Sequence, residues 1–259
     1  MAAVVTGNKI CVRGLDVNVL IESDDELIAG PIRDAWRDAA VDFPEHAECT
    51  VTVSFTPGSD VYGDSIEQIL HDLSPAVTRA AIGARSGELV MLHAAALCDP
   101  TTGATAVLVA PSGTGKTTAA ITLGQTFAYL TDETSGITED GTVLAYRKPL
   151  SVIGSGPLKA QVAPSDLGMI TTADRGRLAA LYVLQRDPDH QGPPRVEPLE
   201  TIDALAELAP QVSFLGEFER PLQRLVDVLQ LVGGASQITY AEATDLEPLL
   251  SQALSGAMR

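Results

Sequence analysis

The fold is decided by the run Ala110-Pro111-Ser112-Gly113-Thr114-Gly115-Lys116-Thr117-Thr118. An apolar stretch at residues 105–109 precedes this run, and a helix-forming stretch at residues 119–123 follows it. The order is strand, glycine-rich loop and helix, which is the arrangement that binds the phosphates of a nucleotide. The usual pattern is G-x-x-x-x-G-K-[ST], and the chain departs from it at the first position, where Ala110 replaces glycine.

The residue types in this loop suit an anion. Glycine lets consecutive backbone N–H groups turn toward one ligand, and the next helix adds its N-terminal N–H groups and the positive end of its dipole. Lys116 can reach the outer phosphates, and the hydroxyl of Thr117 can ligate Mg²⁺. The alternative is a glycine-rich turn that happens to contain a lysine. We expect ATP and Mg²⁺ as cofactors, with the nucleotide bound by Ser112, Gly113, Thr114, Gly115, Lys116, Thr117 and Thr118.

The charge distribution excludes one class of partner. The 259 residues carry a formal net charge of −17, and the acid is concentrated in the two flanks of the chain. Residues 86–185, which include the loop, hold 8 acidic and 6 basic side chains. A nucleic-acid partner would need a basic face, so we expect none.

Cysteine usage and hydropathy point to a cytoplasmic protein. Cys11, Cys49 and Cys98 are far apart and form no C-x-x-C pair, which favours buried thiols over a metal or disulfide site. No apolar run approaches the ~18 residues of a membrane span, and the N-terminus lacks the pattern of a signal peptide. We expect no membrane partner.

Periodicity predicts alternating strands and helices. Strand-like runs occupy residues 9–20 and 50–55, and a short helix is expected at residues 30–40. A longer helix is expected from Ser65 to about Ala84, interrupted or restarted by Pro75. Further strands are expected at residues 89–97, 127–130, 143–146, 178–184 and 237–240, with a proline-rich loop at 187–198. Helices are expected at residues 202–208 and 222–231 and from about Asp245.

Polar residues at strand ends are the catalytic candidates, because open α/β sheets bind ligands there. His93 interrupts one apolar strand, and its alternative role is that of a satisfied core histidine. Asp132 and Glu133 end another strand, where a carboxylate can ligate Mg²⁺ or accept a proton, or can simply be a solvated loop acid. The pair at residues 147–148 could neutralise phosphate or flank Pro149 at the surface.

Residues 89–151 resemble a known family. The order of strand with histidine, turn, strand, Ser-Gly-x-Gly-Lys loop, helix and strand with Asp-acid is similar to the catalytic domain of HPr kinase/phosphorylase and its shorter relatives. The loop also resembles that of the ATP-dependent phosphoenolpyruvate carboxykinase group. The resemblance implies an α/β fold: a P-loop-containing, HPr-kinase/carboxykinase-like core at residues 63–259 with a small N-terminal α+β region at residues 1–62.

The resemblance also implies roles. Lys116 would bind phosphate and Thr117 would ligate Mg²⁺, while Asp132 would take the proton from an acceptor serine. His93 would lie near that catalytic acid, and Glu133 would assist with the metal. The implied catalytic set is Asp132, His93 and Lys116, and the implied metal ligands are Thr117 and Glu133.

Two departures narrow this resemblance. The Met-Glu-[IV]-Arg-Gly-Leu-Gly segment of the HPr-modifying enzymes is absent, and the closest stretch is residues 164–170, which argues against HPr as the substrate and against phosphorylase activity. The chain is also far too short for a whole carboxykinase. A carboxylate-binding pair for such an enzyme would have to come from Arg147 with Arg175 or Arg177.

The sequence therefore predicts a kinase that transfers the γ-phosphoryl group of ATP to a hydroxyl, either of a serine in a peptide or protein or of a small hydroxylated molecule. The alternative is a non-catalytic nucleotide-binding protein with a regulatory or assembly role. Members of the family often form rings, so a homo-oligomer is a further expectation.

Overall fold

The protein is described by a computed structural model that covers residues 8–111, 114–154 and 156–256. It is a mixed α/β protein. The strands are β1 (Lys9–Gly14), β2 (Val17–Ser23), β3 (Ala40–Val41), β4 (Cys49–Ser54), β5 (Val61–Tyr62), β6 (Val90–Leu92), β7 (Ala94–Cys98), β8 (Ala104–Val109), β9 (Ala128–Thr131), β10 (Ser135–Ile137), β11 (Thr142–Leu144), β12 (Leu150–Val152), β13 (Ala160–Val162), β14 (Arg175–Arg186), β15 (Arg195–Pro198), β16 (Val212–Ser213) and β17 (Ser236–Tyr240). The helices are α1 (Glu26–Trp36), α2 (Ile66–Ala84), α3 (Lys116–Leu123), α4 (Thr201–Leu208), α5 (Pro221–Leu231) and α6 (Leu246–Gly256).

The described residues group into two compact units. The first contains residues 8–85 together with Tyr146–Leu167, and the second contains Ser86–Ala145 together with residues 168–256. Helix α2 thus belongs to the first group. The predicted boundary between the N-terminal region and the core, at residues 62 and 63, concerns independent domains and stays a prediction.

The first unit is built on a five-stranded sheet in the order β3-β1-β2-β4-β5. Strands β1 and β2 form an antiparallel hairpin, whereas β2, β4 and β5 run parallel. Alternate residues of β2 are buried, as expected for a sheet with one covered face. The predicted single run at residues 9–20 is two strands, because Leu15 and Asp16 both adopt φ of 56° and close a tight turn.

The helices of this unit begin where polar side chains cap them. The carboxylate of Asp25 accepts the backbone N–H of Leu27 at 2.8 Å, so α1 begins four residues before the predicted start at residue 30. The hydroxyl of Ser65 accepts the N–H of Gln68 at 3.2 Å and starts α2 at the predicted position. Pro75 lies inside α2 and does not end it.

Tyr146 ties the second segment of this unit to the first. Its hydroxyl lies 2.8 Å from that of Thr78, and its ring packs so closely on Gly14 that a Cβ there would lie 2.3 Å from Cδ2. Only glycine fits at that position.

The second unit contains a larger sheet in the order β16-β6-β10-β11-β14-β8-β7-β9, and β17 and β15 extend it from β14. Strands β8, β14 and β17 are parallel, and β7 is antiparallel to β8. Central strands β7 and β8 are buried at every position, which explains their continuous apolar sequences. Helices α4 and α5 place Leu208, Leu225 and Val228 in the core cluster that contains Val107 and Val183.

Two features of this unit differ from the predicted elements. The predicted strand at residues 89–97 is divided at His93 into β6 and β7, which pair with different neighbours. The proline-rich loop predicted at residues 187–198 ends in the edge strand β15, which is exposed throughout and therefore shows no alternation of apolar and polar residues.

Candidate active site

Strand direction brings the candidate residues to one edge of the larger sheet. Strands β8 and β9 both run antiparallel to β7, so they point the same way, and β14 runs parallel to β8. The glycine-rich loop follows β8 and Asp132 follows β9, while His93 immediately precedes β7. The carboxyl ends of β8 and β9 and the amino end of β7 therefore meet, which is where α/β sheets place ligands.

Local hydrogen bonds hold the described residues of the glycine-rich loop. The hydroxyl of Thr114 donates a 2.6 Å hydrogen bond to the carbonyl of Pro111. Gly115 adopts φ of 95°, a left-handed conformation that favours glycine, and its carbonyl accepts the N–H of Ala119 at 2.9 Å. Gly115 thus turns the chain directly into α3. The predicted ligands Ser112 and Gly113 lie outside the described residues.

Lys116 is the buried cation of the site. Only 6% of it is exposed, and its Nζ donates hydrogen bonds to the carbonyls of Ala110 and, at 3.1 Å, Pro111. Burial lowers the pKa of Lys116, and the negative charges of Asp132 and Glu133 oppose that shift. The ammonium group is thus held at the base of the loop, where a polyanion would gain most from it because little water screens the interaction.

Asp132 is held by two hydroxyl groups. Its Oδ2 accepts a 2.9 Å hydrogen bond from Thr117 in α3, and its Oδ1 accepts one of 2.9 Å from Tyr129 in β9. Asp132 is 5% exposed. Burial, followed by the charge of Asp132 and this hydrogen bond, raises the pKa of Tyr129 well above its ordinary value, so the phenol remains a donor. The carboxylate is therefore fixed in orientation beside the loop.

The imidazole of His93 contacts the main chain of the turn that follows β9. Its Nδ1 lies 3.1 Å from the carbonyl oxygen of Glu133, which also accepts the N–H of Ala94 at 3.1 Å. Burial lowers the pKa of His93, and the positive charge of Lys116 lowers it further, while Glu133 opposes the shift. The half-buried imidazole is therefore biased toward its neutral form.

The turn that carries the two acids is braced by Thr131. Its hydroxyl accepts the backbone N–H groups of Glu133 and Thr134, both at 3.2 Å. Such a turn fixes the direction in which the chain leaves β9. The half-buried carboxylate of Glu133 follows Asp132 at this edge, and its predicted role with a metal stays a prediction.

The other basic candidates belong to different segments of the fold. Arg147 and Lys148 belong to the first unit, where Arg147 donates to the carbonyl of Asp38 at 2.9 Å and the buried Lys148 to that of Pro149 at 3.2 Å. Arg177 pairs with Ala104, the first residue of β8, and thus lies about 20 Å along the strand from the loop. Arg175 is two residues farther. Neither arginine supplies the carboxylate-binding pair that a carboxykinase would need at this edge.

The oxygen donors fit a magnesium ion better than a metal that prefers nitrogen or sulfur. Among the described residues no group of three or more His, Cys, Asp and Glu side chains could hold a metal. Mg²⁺ is normally bound by one or two protein oxygens, with water and substrate phosphates completing its octahedron. The Thr117 hydroxyl and the Asp132 carboxylate provide such a pair.

Two parts of the site were not anticipated from the sequence. Tyr129 reads as an apolar strand residue, although a buried tyrosine needs a partner for its hydroxyl, and the acid three residues later was the available signal. A cavity also lies beside the loop, lined partly by the end of β14. Its residues come from distant segments and form no motif.

Comparisons with known proteins give a distant similarity in fold. No family model matches the chain, and no curated protein matches it. Among solved structures, the chain is similar to the Hpr(Ser) kinase/phosphatase from Coxiella burnetii, with 10% sequence identity and a TM-score of 0.35 over 64% of this chain and 94% of that chain. At this identity and TM-score no residue role carries over. In the part of the chain that the structure describes, no helix has the length and apolarity to cross a bilayer.

Proposed function

We propose that the chain is an ATP-dependent kinase that transfers the γ-phosphoryl group to a hydroxyl, either of a serine in a peptide or protein or of a small hydroxylated molecule. It would be a short relative of HPr kinase/phosphorylase without the signature segment of the HPr-modifying enzymes. The observation that carries the proposal is the convergence of a buried lysine, a threonine in the first turn of α3 and a buried aspartate at one sheet edge.

The phosphates would lie over the glycine-rich loop. The ammonium of Lys116 would exchange its contacts with the carbonyls of Ala110 and Pro111 for charged phosphate oxygens. A negatively charged phosphate oxygen attracts the ammonium more strongly than a neutral carbonyl oxygen does, which favours this exchange. The first N–H groups of α3 point at the same place.

Thr117 and Asp132 would hold the magnesium ion from the protein side. When bound there, Mg²⁺ would neutralise negative charge on the phosphates. The two side chains already orient each other at 2.9 Å, so their oxygens lie close enough to share one cation. Glu133 would assist from the next position along the turn.

Asp132 would also direct the acceptor. The acceptor hydroxyl would lie beside the Asp132 carboxylate, whose orientation is fixed by the hydrogen bonds from Thr117 and Tyr129. The acceptor oxygen forms a bond to the γ-phosphorus, the bond to the bridging oxygen of ADP breaks, and the hydroxyl proton passes to Asp132. The neutral ring of His93 would help to exclude water and to align the acceptor.

The test compares three proteins: wild type, Lys116→Ala and Asp132→Asn. Calorimetric titration with ATP, with and without Mg²⁺, measures binding, and γ-labelled ATP with arrayed seryl peptides, free serine and small hydroxylated molecules measures transfer. We expect Lys116→Ala to lose both, and Asp132→Asn to keep ATP binding in the absence of Mg²⁺ within about threefold while losing transfer by at least 100-fold.

The same experiment distinguishes a kinase from the alternative, non-catalytic role. A non-catalytic nucleotide-binding protein would bind ATP without transferring phosphate to any acceptor, and Asp132→Asn would change nothing downstream of binding. Transfer by Asp132→Asn at the wild-type rate would refute the catalytic assignment of that aspartate.

A further inference from the structure

A cavity of about 740 Å³ lies on the side of the glycine-rich loop away from His93 and Asp132. Strand β8 carries the loop, and its two neighbours in the sheet are β7 on one side and β14 on the other. The candidate catalytic groups lie on the β7 and β9 side. The cavity lies on the β14 side, so the loop separates the two.

The size of the cavity suits a small organic group rather than phosphate alone. Pockets for small ligands are mostly about 300–1,000 Å³ in volume, with apolar walls and a few polar groups. The residues that line this cavity from the loop and α3 are Pro111, Thr114, Gly115 and Thr118. Those from the opposite wall are Val183, Leu184, Gln185, Arg186, Pro188, Glu207 and Gln237.

The walls next to the loop combine apolar and polar residues. Val183 and Leu184 are buried at the end of β14, whereas Pro111 and Pro188 are exposed. A planar heterocycle can pack against an exposed proline ring. Because Pro111 belongs both to the loop and to the cavity, a ligand that starts on the loop can continue directly into this space.

A pair of amide side chains supplies the polar edge. The Nε2 group of Gln237 donates a hydrogen bond to Oε1 of Gln185. The pair joins β17 to β14, and each amide keeps further donor and acceptor capacity. Glutamine amides recognise the edges of bases through paired hydrogen bonds, because one amide offers a donor beside an acceptor.

Arg186 forms the rim where the cavity meets the loop. Its Cδ lies 3.9 Å from the position that a Cβ on Gly115 would take. Its Nε donates to the carbonyl of Ala241 at 3.0 Å, and its guanidinium pairs with Glu242 at 3.2 Å. These contacts hold the side chain against the loop, so a ligand passing from the loop into the cavity would run beside it.

From this arrangement we infer that the cavity is the seat of the nucleoside, with the Gln185–Gln237 amide pair binding the edge of the base. The inference rests on the proposed function in one respect, namely that the loop holds the phosphates of a nucleotide. It adds the residues that recognise the rest of that nucleotide. It also fixes the direction of the ligand, with the nucleoside toward β14 and the terminal phosphate toward Asp132.

The test compares ATP with inorganic tripolyphosphate, which carries the phosphates without a nucleoside. Calorimetry in Mg²⁺ gives both dissociation constants for wild type and for the double variant Gln185→Met/Gln237→Met, which keeps side-chain length but removes the amides. We expect wild type to bind ATP at least tenfold more tightly than tripolyphosphate. In the double variant we expect ATP affinity to fall about tenfold and tripolyphosphate affinity to stay within twofold.

Gln230→Met, an exposed glutamine on α5, is the matched control and should change neither constant. Equal affinity of wild type for ATP and tripolyphosphate would overturn the nucleoside seat, and so would equal losses of both ligands in the double variant. ATP binding that depends on the amides but leads to no phosphoryl transfer would support nucleoside binding in the cavity and contradict the proposed kinase activity. Failure of both ligands to bind would refute the two proposals together.

Discussion

The hydroxyl of Tyr129 donates a 2.9 Å hydrogen bond to Oδ1 of Asp132, and Tyr129 is completely buried. A tyrosine at this depth supplies more than packing, because its hydroxyl fixes the orientation of the carboxylate that also binds Thr117. Tyr129 is thus a positioning residue. This hydrogen bond connects a buried residue of β9 to the aspartate proposed to accept the proton of the substrate hydroxyl.

Removal of the Tyr129 hydroxyl should lower the stability of the protein but leave its affinity for nucleotide almost unchanged. In Tyr129→Phe the carboxylate loses one charged hydrogen bond, so we expect the free energy of unfolding to fall by about 1.5–3 kcal/mol. ATP affinity should stay within twofold, whereas phosphoryl transfer should fall by at least tenfold. Urea denaturation, calorimetry and labelled transfer measure the three quantities.

Tyr182→Phe is the control for that change. Burial raises the pKa of Tyr182, and among the described residues no hydrogen-bond partner of its hydroxyl is seen. We expect less than about 0.5 kcal/mol of destabilisation and no loss of transfer. Similar behaviour of the two variants would show that Tyr129 acts through packing and not through Asp132.

The Thr117 hydroxyl should matter for the magnesium-dependent part of ATP binding. Thr117→Val keeps the shape of the side chain but removes the group that donates to Asp132 at 2.9 Å. We expect ATP affinity in Mg²⁺ to fall at least tenfold and affinity in EDTA to stay within twofold. Thr117→Ser keeps the hydroxyl and should retain the effect of Mg²⁺ on ATP affinity. Calorimetry in Mg²⁺ and in EDTA measures these affinities. Equal losses in Mg²⁺ and EDTA would instead indicate a general defect of the loop.

His93 should make stability depend on pH. Its pKa in the folded protein lies below the unfolded value of about 6.5, so its contribution is fully present above that pH and is lost as the pH falls through the folded pKa. Between pH 7 and pH 5 the unfolding free energy should therefore fall more steeply in wild type than in His93→Gln. The difference in slope cannot exceed about 1.4 kcal/mol per pH unit, the limit for one proton.

Urea unfolding at half-unit pH steps measures that difference. His46→Gln, at an exposed histidine, should keep the wild-type slope. A slope in His93→Gln equal to that of wild type would mean that the imidazole is not biased toward its neutral form.

Local residue types predicted the strand, loop and helix around Lys116 better than they predicted the sheet topology. The strand, loop and helix at residues 105–123 follow from local residue types, and Lys116 and Thr117 lie where that pattern expects them. The position of β7 between β8 and β9 is set by long-range pairing and leaves no local signal. That pairing is what brings His93 and Asp132 to the loop.

Other differences have causes that can be assigned to particular residues. The hairpin turn at Leu15 and Asp16 lacks glycine and asparagine, so the two strands read as one run. Edge strand β15 has no buried face and hence no alternation to detect. The cavity residues Gln185 and Gln237 are 52 positions apart, and only the pairing of β14 with β17 brings them together.

Two glycines should respond to alanine in opposite directions. Gly115 has φ of 95°, where a side chain is strained even though, among the described residues other than its chain neighbours, the nearest atom to the added Cβ is Cδ of Arg186 at 3.9 Å. Gly115→Ala should therefore cost about 1–2 kcal/mol and weaken ATP binding, because the loop must relax to start α3. Gly83→Ala lies within α2 with open space around it and should stabilise the protein by about 0.5–1 kcal/mol. Urea denaturation measures both. If Gly115→Ala were as stable as wild type and bound ATP equally well, the left-handed turn would not be a requirement of the loop.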